Sequence, residues 1–291
     1  MNWRRSVAQE ITSETTRLGF VGLGNLGKPM VRALQRDGWS IAVHDRDPAR
    51  ASELEGIRVV DGPAQLADCG VIALAVPDDD AVSEILGELV PLLAAGSVVL
   101  IHSTILPGTA KRLAQQAERA GLGLLDVPVS GGAERALTGS LTVMAGGRAD
   151  VLERVRPVLD SVAGEVIHAG PAGAGAAVKL ANQLMMFAAL AGVQEALELA
   201  GAYDVPERMV LDAVSTSTGE SWITRNWGFF DDVAAAYDSA GTPVRDRPWS
   251  KDLWDIVAAA RDRALPLPVA GLLAQHLAGK VEDHAHKGAG S

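Results

Sequence analysis

Leu18-Gly19-Phe20-Val21-Gly22-Leu23-Gly24-Asn25-Leu26-Gly27 is the stretch that decides the fold. It reads as a short apolar strand that turns on glycines into a helix predicted over residues 27–37, with Met30, Val31 and Leu34 as its apolar face. Gly22, Gly24 and Gly27 fit the pattern G-x-G-x-x-G, which is weak alone and informative between a strand and a helix. Gly22 allows the tight turn, Gly24 lets a pyrophosphate approach the backbone, and Gly27 lets helix and strand pack closely. The helix start offers unpaired amides and the positive end of a dipole to phosphate. Leu23, Asn25 and Leu26 complete this loop, whose plainer reading is a glycine-rich turn without a ligand.

Outward from the loop the alternation continues. Ser40–Asp45 is a second strand, and an acid at its end can accept hydrogen bonds from an adenosine ribose and repel a ribose phosphate. Asp45 therefore favours NAD over NADP. Arg46 follows and can stack on adenine or pair with a phosphate, which keeps NADP possible; otherwise it is a solvated loop arginine. Further strands are predicted at Val71–Val76, Val98–Ser103, Leu124–Val127, Leu141–Ala145 and Val166–His168, with helical patterns at 79–93 and 108–120. Strands alternating with helices pair in parallel through right-handed crossovers. The last strands lie closer together, so the far edge of the sheet is expected to be mixed or antiparallel. Ligands bind beyond the carboxyl ends of such strands, so Val76, Pro77, Ser103 and Thr104 should line the nicotinamide side. Asp78-Asp79-Asp80 reads as a helix cap rather than a metal site, and no metal is expected.

After Gly175 the character changes. Residues 175–202 read as one Ala- and Leu-rich helix, and only helical patterns follow, at 206–215, 220–237, 249–263 and 266–279. The expected fold is α/β, a Rossmann-type N-terminal domain plus an all-α C-terminal domain. The expected division is a flexible leader at 1–17, a dinucleotide-binding domain at 18–172, a helical domain at 173–280 and a frayed tail at 281–291. No internal repeat is found.

Composition bounds the function. The 291 residues suffice for two domains at about 100–200 residues each. The 48% hydrophobic and 21% charged content is that of a globular protein, and the 4% aromatic content leaves Ala, Val and Leu to build the core. A net charge of −10 argues against a nucleic-acid partner. Cys69 stands alone, so no intramolecular disulfide forms, which fits a reducing, cytoplasmic setting. No stretch of about 18 or more uncharged apolar residues is found, so no membrane partner is expected. Arg4-Arg5 is not followed by the apolar core of a secretory signal. His284 and His286 read as a solvated pair in the tail rather than metal ligands.

Further segments carry chemistry. Ser130-Gly131-Gly132 ends a strand with a hydroxyl and two side-chain-free amides, a turn able to aim N–H groups at a carboxylate. Lys179, Asn182, Gln183 and Met186 share one face of the long helix. Lys179 is the one charge in the run Ala172–Leu184, so it either snorkels at a surface or sits in a cleft with a task. Lys251 and Asp252 fall in the first turns of the helix after Pro248, where a surface ion pair is the plain alternative.

Gly19–Gly27, Asp126-Val-Pro-Val-Ser-Gly-Gly132, Gly173-Ala-Gly-Ala-Ala-Val-Lys-Leu-Ala-Asn182 and Lys251-Asp-Leu253, in this order, resemble the β-hydroxyacid dehydrogenase family from about Leu18 to Leu277. The resemblance implies a small carboxylate substrate held at Ser130, Gly131 and Gly132. It implies Lys179 as the catalytic acid/base, which takes the hydroxyl proton as hydride leaves and returns it in reverse. Burial can lower a lysine pKa toward neutrality, which suits both directions. Asn182 would orient the substrate, Lys251 would contact cofactor or substrate, and Asp252 would support Lys251. The active site is expected between the two domains.

Trp254 stands where many relatives carry a small residue, and Ser221–Trp227 also departs from the family. Trp222 and Trp227 either shape a pocket for a larger group or belong to the core, which is the preferred reading. Alternatives are a semialdehyde reductase, an imine reductase and a nucleotide-sensing interaction protein. Lys179 argues against the imine chemistry, and its retention beside Asn182 and the Ser-Gly-Gly turn argues against a pure sensor. The apolar helices point to a homodimer or homotetramer.

Overall fold

The computed structural model describes residues 10–287. Its contacts divide the chain into two compact units, Met1–Lys179 and Leu180–Ser291. The first is Rossmann-type α/β and the second is all-helical.

In the first unit, β1 (Arg17–Val21) lies at the centre of a sheet. It pairs in parallel with β2 (Ser40–His44), which carries the two-residue edge strand β3 (Arg58–Val59). On its other side come β4 (Val71–Leu74), β5 (Val98–Ile101) and β6 (Gly123–Asp126), all parallel. The crossovers are α1 (Gly27–Arg36), α2 (Asp79–Leu89) and α3 (Pro107–Arg119). Helices cover both faces, so β4 and β5 are apolar and buried at every position. Successive side chains alternate between faces. Phe20 and Leu100 join Met30 and Leu34 in one core, while Val21, Ile72 and Ile101 join Leu86 and Leu113 in the other.

The far edge is mixed. β7 (Val129–Ser130) leads into the short α4 (Gly132–Leu137). β8 (Leu141–Gly146) runs antiparallel to β6 and β7. α5 (Ala149–Asp160) then returns the chain to β9 (Ala163–Gly170), parallel to β8.

α6 (Ala174–Gly201) starts in the first unit and continues into the second. By length and composition it is apolar enough to cross a membrane, with a mean hydropathy of 1.4 over 18 residues, one third of them buried. Lys179 and Glu195 bound the longest uncharged run of this helix, so no 18-residue stretch of it is free of charge, as expected from the sequence. The second unit continues with α7 (Glu207–Val214), α8 (Trp222–Arg225), α9 (Phe229–Ser239), α10 (Pro248–Asp262) and α11 (Pro268–Lys287). Its core gathers Phe187, Leu190, Phe230, Leu253, Leu277 and the fully buried Trp249.

Several expectations are corrected. The helix expected at 220–237 is two helices: a capping box of Ser221 and Thr224 starts α8, and the chain leaves the helix at Asn226 and turns at Gly228, φ 92°, into α9. The tail is helical to Lys287: Val281 is 1% exposed in the core, and apolar anchoring extends the helix past its expected end. His284 and His286 are therefore not a solvated tail pair. His284 Nδ1 meets Asp231 at 2.8 Å, and His286 Nε2 meets Asp238 at 3.0 Å. In the expected leader, Ile11 is 5% exposed in the core, residues 12–16 form a turn and Arg17 begins β1. Residues 1–9 and 288–291 of the expected leader and tail lie outside the described residues. Trp222 is no core residue: it is 42% exposed, edge-on to Phe229. Trp227 packs partly against the helical core and donates to Glu207.

Candidate functional site

The glycine loop is closed by contacts that forbid side chains at two of its positions. Gly22 sits at φ 96°, and a Cβ there would lie 2.3 Å from the Ala75 carbonyl oxygen. A Cβ on Gly27 would lie 1.9 Å from the Gly22 oxygen. At Gly24 only the Arg50 guanidinium tip comes near, at 3.5 Å, so this face of the backbone stays open. Leu26, the residue before α1, gives it no side-chain cap, whereas α2 is capped by Asp78, which accepts the Ala81 amide. An open glycine and an uncapped helix start fit a dinucleotide pyrophosphate. Asn25 is exposed and Leu26 half-buried at the lip.

Asp45 ties this loop to β2. Its Oδ2 accepts the Leu23 amide at 2.6 Å, and its Oδ1 accepts the Asp47 amide at 2.8 Å. Arg50 stands 3.8 Å away, and Arg46 is exposed. Beyond β4 and β5 the Val76 amide donates to Ser103 Oγ at 2.9 Å, which brings these two strand ends together; Pro77 and Thr104 follow them in sequence. Asp79 accepts the Leu106 amide, so Asp78 and Asp79 are both engaged in shaping the start of α2 and the loop before α3.

His102, beside Ser103, is a residue the sequence reading passed over. It is buried against Phe20, with Nδ1 on the Val127 carbonyl at 3.1 Å. Burial pushes its pKa down to about 4, so it is neutral at physiological pH and unsuited to accept protons there.

Ser130, Gly131 and Gly132 are half-buried where β7 meets α4. Gly131 and Gly132 have φ of 136° and 74°, so this backbone path suits glycine. Lys179 is 8% exposed on α6, buried rather than snorkelling. Asp126, at the end of β6, was quoted only as part of a motif. Its carboxylate is fully buried and accepts amides from the start of α6, and burial raises its pKa above the usual carboxylate range.

In the second unit Asn182, Gln183, Asp252 and Lys251 form a chain. Asn182 Nδ2 donates to Gln183 Oε1 at 3.3 Å, and Gln183 Nε2 donates to Asp252 Oδ2 at 2.6 Å. Lys251 Nζ lies 2.7 Å from Asp255 and 3.5 Å from Asp252. Gln183 links α6 to α10, a role that helix spacing alone did not reveal. Trp254, on α10, is 51% exposed. Asp238, Glu282 and His286 bring ligand atoms within 4.8 Å of one another, but the Arg247 guanidinium already occupies the two carboxylates.

Residues 17–170 match the family model described as the NAD binding domain of 6-phosphogluconate dehydrogenase. Residues 173–290 match the model described as NAD-binding of NADP-dependent 3-hydroxyisobutyrate dehydrogenase. The 3-hydroxyisobutyrate dehydrogenase of Pseudomonas aeruginosa is 31% identical, over 90% of this chain and 91% of that protein. The NAD-dependent L-serine dehydrogenase of the same organism is 31% identical, over 88% and 89%. The solved structure of Mycobacterium tuberculosis 3-hydroxyisobutyrate dehydrogenase with L-serine superposes with a TM-score of 0.79 at 28% identity, covering 93% of this chain and 95% of that one. With both halves matched in order and over nearly their whole length, the chain belongs to the β-hydroxyacid dehydrogenase family and is an NAD(P)-dependent oxidoreductase acting on CH–OH groups.

Proposed function

We propose that the protein interconverts a small β-hydroxy acid, of the 3-hydroxyisobutyrate or serine type, and its oxo form, with Lys179 as general acid/base. The observation that carries this reading is Lys179 itself. A lysine 8% exposed on an otherwise uncharged helical stretch bears a desolvation penalty that a surface lysine avoids. The nicotinamide, when bound, accepts or returns the hydride. Lys179 takes the hydroxyl proton during oxidation and gives it back during reduction. Ser130 Oγ and the amides of Gly131 and Gly132 hold the substrate carboxylate. Asn182 orients the substrate, and Lys251, steadied by Asp252 and Asp255, meets cofactor or substrate charge.

NAD is the preferred cofactor in this reading, because Asp45 presents a negative charge where a ribose phosphate would sit. The setting is cytoplasmic. The working form is a homo-oligomer. Val178, Met185 and Leu199 leave an exposed apolar stripe along α6, and a second copy of the chain is the partner such a stripe fits. The test is NADH formation with 3-hydroxyisobutyrate, 3-hydroxypropionate, D-glycerate, serine and 4-hydroxybutyrate, each with saturating NAD and again with NADP. A rate with one of these acids, higher with NAD, is expected. No turnover with any of them in either direction, with NADH still bound, overturns the substrate class.

A further inference from the structure

The first turn of α6 is seated in the first unit by a single buried side chain. The Gly173 amide donates to Asp126 Oδ1 and the Ala176 amide to Oδ2, both at 2.8 Å. Helix-start amides lack intrahelical partners, and a carboxylate complements the positive end of the helix. Such a cap ordinarily comes from the residue just before the helix. Here it comes from the end of β6, in the nucleotide-binding sheet, 47 residues before Gly173.

The seat is closed by glycine on two sides. Gly146 is the partner of Asp126 in the β6–β8 register. A Cβ on Gly146 would lie 2.6 Å from both Asp126 carboxylate oxygens and from the Gly175 amide nitrogen. A Cβ on Gly175 would lie 2.2 Å from the Met144 oxygen and 2.6 Å from the Asp126 carbonyl. The helix start thus touches the strands backbone to backbone, leaving no room for it to slide. Lys179 follows Ala176 by less than one helical turn of about 3.6 residues. The chain leaving Asp126 runs through Val127 and Pro128 into Ser130.

We propose that Asp126 is the positioning residue of the reaction: it fixes the height of Lys179 over the sheet and refers the lysine and the Ser130–Gly132 turn to one common point. This rests on the role proposed above for Lys179. Burial of the carboxyl outweighs its backbone bonds and raises its pKa, so placing an acid here carries a desolvation penalty. A local Ser or Asn cap would serve the helix without that penalty. What such a cap would not do is tie the helix to the strand end.

The test compares D126N, G146A and K179A with the wild-type enzyme. D126N keeps the shape and replaces one acceptor with a donor that faces an amide. G146A keeps Asp126 and drives a methyl group into its carboxylate. Both should lower kcat about ten- to a hundredfold, since displacements near one ångström cost that much. The KM for NAD and the Kd for NADH of D126N should stay close to wild type, while its melting temperature falls by the few degrees that one unpaired buried amide costs. A kcat within twofold of wild type in both variants, with K179A inactive, overturns the positioning role alone. A loss of NADH binding in D126N as large as its loss of kcat reduces Asp126 to a folding residue and also overturns it. Near-normal turnover in K179A removes the reading of Lys179 on which the inference rests.

Discussion

Asp45 and Leu23 are joined at 2.6 Å by a hydrogen bond from the loop amide to the carboxylate, so the residue proposed to read the ribose also braces the glycine loop. Asp45→Ala removes the acceptor of two amides, at Leu23 and Asp47. The Kd for NAD should rise about tenfold or more, each lost charged hydrogen bond being worth about 1.5–3 kcal/mol. NADP binding should suffer less, because a repelling charge leaves with the acceptor, so the NAD/NADP preference narrows. Fluorescence titration of both cofactors checks this; equal weakening of the two would separate Asp45 from cofactor choice.

Gln183 and Asp252 form the buried polar link between α6 and α10. Asp252→Ala removes a buried carboxylate that accepts from Gln183 and faces Lys251. A hydrogen bond to a charged group is worth about 1.5–3 kcal/mol, so urea denaturation should show a loss in that range. A change under about 0.5 kcal/mol, the size of an ordinary surface substitution, would mean the link carries no weight.

How much of this was legible in the sequence depends on the range of each constraint. The glycine loop is local: Gly22 and Gly27 are imposed by atoms a few residues away or on a neighbouring strand, and the pattern states them directly. The parallel strands were visible because burial on both faces makes them continuously apolar. β3 and β7 escaped notice because two residues carry no period. The end of α11 was misplaced because Val281 is fixed by tertiary packing that its polar neighbours conceal. Asp126 read as a motif letter because its partners are 47 and 50 residues away. The split at Gly228 was legible in principle, since a glycine inside a helical pattern is a candidate break.

His102 makes stability depend on pH. Its folded pKa of about 4 lies below the 6.5 of a free imidazole. The fold therefore prefers the neutral ring, and the stability this group contributes is complete above pH 6.5 and is lost as pH falls toward 4. The loss is roughly 3 kcal/mol at most, from about 1.4 kcal/mol per unit. His102→Gln, which keeps a donor for Val127, should flatten the wild-type decline between those pH values in denaturant melts. Parallel curves for the two proteins would show that the ring is not the group titrating.

Met185 is 67% exposed on the apolar stripe of α6. Met185→Glu should dissociate the assembly to monomers in light scattering while leaving helical content unchanged. A wild-type protein already monomeric at micromolar concentration would contradict the homo-oligomer.

The most direct measurement is the turnover of Lys179→Ala with the best acid of the panel, beside its Kd for NADH. General acid/base groups contribute about a hundred- to ten-thousandfold. In Lys179→Ala kcat should fall by that order, with NADH binding within twofold of wild type. A kcat within tenfold of wild type, with the cofactor bound normally, would contradict the proposal that Lys179 moves the proton.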